Sequence, residues 1–330
     1  MKYYLIAGEA SGDLHGSNLI KGLRAKDPDA SFRFRGGDKM SEAAGGAGML
    51  VHHYKDGAVM GLTDVVASLP RILSDMDACC KDILAWKPDA LILIDYPGFN
   101  MRVAKRLHGK VRVYYYIAPK TWASREGRNA QIRKYVDRMF IVFPFEQDYF
   151  AENGIPCIYE GNPLLDAVDN HSFSRPVEGS YIALLPGSRR GEIKRTLPLC
   201  VKAAKQGGWR LVVAQAPAVE ADFYRSLEPD IELLQGRTYD ILKYADAAIV
   251  NSGTASLEAA LIGTPQVVCW STTRFTAWVA RHILKVMEHV RFISLANLIA
   301  GREIFRELIQ EDFNEERLSL EVERLADPDV

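Results

Sequence analysis

Two short stretches carry the residue types that hold an anion. "ALLPGSRRGEIK" (residues 183–194) ends an apolar run in Pro-Gly-Ser and follows it with two arginines and a helix-like segment. Gly187 lets the backbone turn tightly, and a helix over about 192–206 aims unsatisfied N–H groups and its positive dipole end at that turn. Ser188 adds a hydroxyl, and Arg189 can fork two hydrogen bonds onto a phosphate. In "AIVNSGTASLEAALIGTP" (248–265) the turn Ser252-Gly253-Thr254 opens a second helix, with hydroxyls and N–H groups where a diphosphate can lie. Glu258, one turn into that helix, offers two carboxylate oxygens to a pair of ribose hydroxyls. The plain alternatives are a loop with solvated arginines and a simple helix cap. Two such turns in one half of the chain weigh against them.

The first half offers a carboxylate and an aromatic wall. "LILIDYPGFN" (91–100) ends an apolar run at Asp95, a general base if burial raises its pKa, or else a helix cap or loop ion pair. "GEASGD" (8–13) follows the first apolar run. Gly8 and Gly12 permit close approach, and Ser11 is expected to cap the next helix. Without the third glycine of GxGxxG a nicotinamide site is disfavoured, and the sugar part of a ligand fits better. "VYYYIAPKTWASREGR" (113–128) brings Trp122 and Arg125, suited to a sugar or phosphate and equally to loop packing. His15 and His108 stand alone, with no metal-ligand spacing. GxxxxGK[ST], GxSxG and HExxH are all missing from the sequence.

Short apolar runs alternating with amphipathic helices must position these residues. Strands are expected at 3–7, 32–36, 49–52, 90–95, 111–117, 138–142 and 157–159, then at 181–185, 210–214, 231–234, 247–250 and 266–269. Helices are expected between them. Continuous apolar strands separated by helices predict parallel sheets covered on both faces. The polar, Pro- and Gly-bearing segment 161–180 suits a hinge, giving domains at 1–165 and 181–330 with a hinge at 166–180. The expected fold class is α/β, with two Rossmann-like doubly wound domains facing a cleft at their strand C-terminal ends.

Composition narrows the partners. The 330 residues are 48% apolar and 25% charged with net charge −1, which fits a globular chain and argues against nucleic acid. Five scattered cysteines without CxxC spacing suit a reducing, cytoplasmic compartment. No run reaches the ~18 apolar residues of a membrane span, so membrane contact is expected to be peripheral at most. The stretch 58–73 clusters Met60, Leu62, Val65, Val66, Leu69, Ile72 and Leu73. By sequence alone it is core, with an acyl-chain or membrane surface as the alternative.

Seven motifs in order, "GEASGDLHG", "MGLTDV", "IDYPGFN", "PFE", "LPGSRRGEI", "SGTASLE" and "LANLIAGREIFRELIQ", resemble those of the lipid-A-disaccharide synthases, inverting glycosyltransferases of the GT-B fold. The resemblance runs from about residue 3 to 318. It implies transfer from UDP-2,3-diacylglucosamine to 2,3-diacylglucosamine 1-phosphate (lipid X), giving a β-1′,6 disaccharide and UDP. It implies Asp95 as the base, Arg189 and the 252–254 turn at the departing diphosphate, and Glu258 and Asn297 at the nucleoside. Ser11, Gly12, Trp122 and the patch of Met60, Val65, Val66 and Leu69 would meet sugars and acyl chains. The inner leaflet of the cytoplasmic membrane and a second copy of the chain are the further partners implied. No metal or cofactor is implied, since helix ends and an arginine take the cation's place. Three departures stand out: Ser124 in place of a second tryptophan, Ala296 in place of a proline expected to tighten the turn before Asn297, and a chain ending at "LADPDV" where the family carries a further tail. The competing expectations are a non-hydrolysing UDP-sugar epimerase, a transferase with a soluble acceptor, and a non-catalytic nucleotide-sugar sensor.

Overall fold

The computed structural model describes residues 1–45, 50–57, 69–123, 126–272 and 291–327. It forms two compact units, Met1–Pro163 and Leu164–Val330. Residues 166–180 fall within the second.

The first unit carries strands β1 (Lys2–Ala7), β2 (Ser31–Gly36), β3 (Leu50–His53), β4 (Ala90–Ile94), β5 (Val113–Tyr116), β6 (Arg138–Ile141) and β7 (Ile158–Tyr159). They form one sheet in the order β3-β2-β1-β4-β5-β6-β7, and the paired strands run parallel. The order reverses between β1 and β4, so the loops after these two strands flank the crevice where such sheets take ligands. Every residue of β4 is buried, as expected of a strand covered by helices on both faces.

The second unit repeats the scheme with β8 (Ile182–Leu185), β9 (Leu211–Gln215), β10 (Glu232–Gln235), β11 (Ala247–Asn251), β12 (Gln266–Trp270) and β13 (Glu307–Ile309), in the order β10-β9-β8-β11-β12-β13. Alternate residues of one strand feed opposite cores. Ile182 and Leu184 pack with Ile193, Leu197 and Leu318, while Ala183 and Leu185 pack with Ile241, Leu242 and Ala259. A two-residue side-chain period with both faces covered is what makes β8 read as an unbroken apolar run. The reversal here lies between β8 and β11, whose register pairs Leu185 with Val250.

The strands expected from sequence are all present, shifted by a residue or two at their ends. β13 and the helices Leu295–Ala300 and Glu315–Ala326 were not among the expected elements.

Candidate active site

The loops at the two reversal points hold most of the candidate residues. In the first unit Asp95 follows β4, and its N–H donates to the Tyr116 carbonyl at 3.2 Å. Asp95 (φ 43°) and Tyr96 (φ 46°) are both left-handed, as is Ile117 (φ 63°) after the neighbouring β5. Such geometry costs on the order of 1–3 kcal/mol per residue and persists only where surroundings enforce it. The enforcing contacts are explicit. The Asp95 carbonyl accepts the Tyr115 hydroxyl at 2.6 Å and the Asn100 amide at 2.8 Å. Tyr96 lays its ring where a side chain at Gly8 would stand, 2.3 Å from an added Cβ. Gly8 is therefore a glycine because Tyr96 covers it.

The Asp95 carboxyl is pushed above its ordinary value, chiefly by burial. The Lys120 charge pulls it back, the Glu9 charge raises it further, and the Tyr96 N–H lowers it slightly. It makes no ion pair within 4 Å among the described residues, so the loop-ion-pair alternative loses its support, and the cap position of helix Pro97–Leu107 is taken by Tyr96 and not by Asp95. His15 lies in the same field. Burial, with the Lys120 charge, pushes its imidazole down to about 4, and its Nδ1 is buried without a hydrogen-bond partner among the described residues. Such a ring stays neutral.

The "GEASGD" loop departs from expectation. Glu9 is the cap of helix Ala10–Lys26, without a side-chain bond, and Ser11 is exposed inside the first turn, so Ser11 does not cap. Gly12 is buried, with an added Cβ 3.1 Å from Ala7, so its lack of a side chain serves helix–strand packing and leaves no surface for a sugar. Asp13 is 3% exposed and accepts the N–H groups of Gly37, Lys39 and Met40, closing the start of helix Asp38–Ala44. Met60, Val65, Val66, Ser124 and Arg125 lie outside the described residues. Leu69 opens helix Leu69–Trp86, in which Leu73 is exposed.

In the second unit the Gly187 and Ser252–Thr254 turns lie side by side, because each leaves the sheet just past the paired residues Leu185 and Val250. Gly187 has φ 121°, and an added Cβ would meet the Glu192 side chain at 2.6 Å. Helix Arg190–Gly207 begins two residues earlier than expected, with Arg189 as its cap. Its first N–H groups are partly used: the Glu192 carboxylate accepts those of Ser188 (2.9 Å) and Arg189 (3.3 Å). The N–H groups of Arg190 and Gly191 have no acceptor among the described residues. Arg189 is 73% exposed on its side chain, and its guanidinium pairs, among the described residues, with Glu192 at 3.2 Å. Arg190 is drawn away to Glu220 at 2.5 Å and lies over the Phe223 ring. The two arginines are thus not equivalent.

At the second turn Gly253 and Thr254 are exposed at the start of helix Thr254–Ile262. The Ser252 hydroxyl, expected at the diphosphate, instead donates to the Ile293 carbonyl at 2.9 Å. One oxygen of Glu258 accepts the Tyr239 hydroxyl at 2.9 Å, which orients the carboxylate. Asn297 is the clearest correction. It is fully buried, its amide donates to Phe305 and Glu307, and its carbonyl accepts from Ile304 and Phe305. No hydrogen-bonding capacity of that side chain remains for a nucleoside. The helix start holding Ala296 is not loosened either, since Ser294 caps it by accepting the Asn297 N–H. Replacing Asn297 by alanine is expected to cost about 3 kcal/mol of stability, because several buried groups lose their partners together. Urea unfolding of the full chain measures it. An unchanged midpoint with weakened UDP binding would restore Asn297 to the nucleoside.

Sequence reasoning gave no role of their own to Tyr115, Asn100, Glu192 or Glu146, although each lies in a quoted stretch: Tyr115 and Glu146 bond across to other loops, while Asn100 and Glu192 bond within their own. Among the described residues no group of three His, Cys, Asp or Glu side chains is placed to hold a metal, and no helix is long and apolar enough to cross a membrane.

Comparison with known proteins gives concordant results. A family model described as lipid-A-disaccharide synthetase matches residues 3–327. The lipid-A-disaccharide synthase of Myxococcus xanthus is 39% identical, covering 98% of this chain and 88% of the relative. That of Trichlorobacter lovleyi is 37% identical over 97% and 87%. Among solved structures, the Methanocaldococcus jannaschii UDP-GlcNAc 2-epimerase in complex with UDP-GlcNAc and UDP has a TM-score of 0.66, with 13% identity over 99% of this chain and 93% of that one. The calicheamicin glycosyltransferase CalG4 has a TM-score of 0.57, with 15% identity over 99% and 90%. At such identity the structural likenesses show the fold alone.

Proposed function

The chain belongs to the lipid-A-disaccharide synthase family, hexosyltransferases of lipid A biosynthesis, and from that premise we propose its substrates, its residues' roles and its place in the cell. The donor is UDP-2,3-diacylglucosamine and the acceptor is 2,3-diacylglucosamine 1-phosphate. The acceptor's 6-hydroxyl attacks the donor's anomeric carbon, the bond to the diphosphate breaks, and the configuration inverts. Asp95 takes the hydroxyl proton, and UDP leaves with the bonding electron pair.

One observation supports this above the rest. A carboxylate raised by burial stands on a strained turn at the reversal point of the first sheet, without an ion-pair partner among the described residues. A base needs that: a proton affinity above that of a solvated carboxylate, and a fixed direction. In the second unit Arg189, the N–H groups of Arg190 and Gly191, and the Gly253–Thr254 turn receive the diphosphate, with Gly187 and Ser188 shaping the loop. Glu258, its carboxylate oriented by the Tyr239 hydroxyl, takes the ribose hydroxyls. Preorganised donors of this kind stabilise charge as it develops on a leaving group. Trp122 packs against the acceptor sugar. The 60–73 stretch meets acyl chains at the cytoplasmic face of the inner membrane, and the enzyme works as a homodimer.

Purified protein is to be incubated with the UDP-linked donor and lipid X and the products weighed by mass spectrometry. Disaccharide 1-phosphate with stoichiometric UDP is the expected result. Binding of UDP without any disaccharide would instead mark a nucleotide-sugar sensor.

A further inference from the structure

In the first unit the loops after β5 and β6 are joined by one carboxylate. Glu146 is 1% exposed. Its Oε1 accepts the Trp122 indole N–H at 2.9 Å, and its Oε2 accepts the N–H groups of Val142 at 3.3 Å and Phe143 at 3.1 Å. Trp122 is only partly buried. Its ring stands edge-on to Phe145, with centroids 5.0 Å apart and planes at 86°. Phe145 in turn stacks on Phe143 at 5.6 Å and 2°. The exposed Lys120 brings its Nζ to 5.9 Å from the Phe143 centroid.

Burying a carboxylate is costly, and packing alone would be served by a leucine. Glu146 supplies orientation instead. An indole has a single hydrogen-bond donor, so holding that N–H fixes the rotation of the whole ring. The two backbone bonds on the other oxygen fix the carboxylate in turn. The result is an aromatic face whose angle is set by the neighbouring loop rather than by its own.

We propose that Glu146 is a positioning residue for the acceptor: it locks the Trp122 indole as the face on which the acceptor's sugar ring stacks. The assignment rests on the transferase reading above and on Trp122 meeting the acceptor. An indole free to turn must be ordered at each binding event, and ordering one such side chain weakens binding about 2–10-fold. The loss falls on acceptor KM. It leaves UDP affinity and donor KM alone, because those depend on the second unit.

The test uses the full chain in a double-mutant cycle of Glu146→Gln and Trp122→Phe. Gln can satisfy the indole or the backbone pair but not both, and Phe keeps a ring while removing the N–H. Each single variant is expected to raise acceptor KM about 2–10-fold, with kcat changed less and UDP affinity unchanged. The double variant should be no worse than the worse single one, since both remove the same contact. Multiplying effects, an unchanged acceptor KM in Trp122→Phe, or an equal loss of UDP affinity would overturn the assignment. Should Glu146→Gln fail to fold, an unchanged acceptor KM in Trp122→Phe still overturns the assignment. Wild-type protein that forms no disaccharide overturns the transferase reading and this assignment together; active wild type with multiplying variants overturns only the assignment.

Discussion

Asp95→Asn is expected to lower turnover about 10²–10⁴-fold, the usual worth of a positioned general base, while UDP binds as in the wild type. Asparagine is nearly the same shape and tolerates left-handed backbone, so the strained turn at 95–96 is retained. What is lost is the ability to accept the acceptor's proton. The pH dependence follows from the direction of the shift. The base works when ionised, and burial raises its pKa, so wild-type kcat/KM falls on the acid side at a pH above the ordinary carboxylate range near 3.9. In Asp95→Asn that limb disappears from the residual rate.

The same shift has a consequence for stability. A carboxyl whose folded pKa is raised is held more tightly as the neutral acid in the folded chain. Its contribution therefore favours folding at low pH and is lost as pH rises through the folded value. At neutral pH the wild type carries an ionised group the fold disfavours, so Asp95→Asn is expected to melt at a higher temperature than the wild type. Gain of stability with loss of activity separates a strained functional group from a structural one. A variant that melted lower and kept its turnover would remove Asp95 from the chemistry.

The parts of the molecule that were legible in the sequence share a physical reason. Strands buried on both faces show as unbroken apolar runs, and β4 and β8 need no knowledge of their partners to be found. The turns after β4, β8 and β11 were legible for the same reason, since each begins where an apolar run stops. The three-residue strand β13 was not, because so short an edge strand has no run to show. Nor was the task of Ser252, whose acceptor lies 41 residues away, or that of Asn297, whose partners sit in the following loop. A hydroxyl or amide looks the same in sequence whether its hydrogen bonds face a ligand or a distant carbonyl. Glycines divide in the same way. Gly187 was expected for its turn, but Gly12 owes its lack of a side chain to Ala7 and Gly8 to Tyr96.

Arg189→Ala is expected to weaken UDP binding about 10–150-fold, the equivalent of the 1.5–3 kcal/mol that charge-assisted hydrogen bonds are worth. Transfer slows with it, since charge grows on the diphosphate as the sugar leaves and a cation fixed there acts more strongly on the transition state than on bound donor. The structure separates this effect from general damage to the turn. Glu192 holds the turn through the backbone N–H groups of Ser188 and Arg189, which alanine keeps. The lost ion pair with Glu192 involves a mostly exposed guanidinium and is worth little. Stability should therefore be nearly unchanged. Arg190→Ala is the matched control, one residue along and equal in charge, but committed to Glu220 and the Phe223 ring. It should leave UDP affinity close to wild type. Lysine at 189 keeps the charge without the planar fork, so affinity between those of the alanine variant and the wild type would assign part of the effect to bidentate geometry. Titration of the three variants with UDP decides the matter. Equal losses at 189 and 190 would mean that the second unit attracts the nucleotide through its general field, and that no particular guanidinium grips the diphosphate.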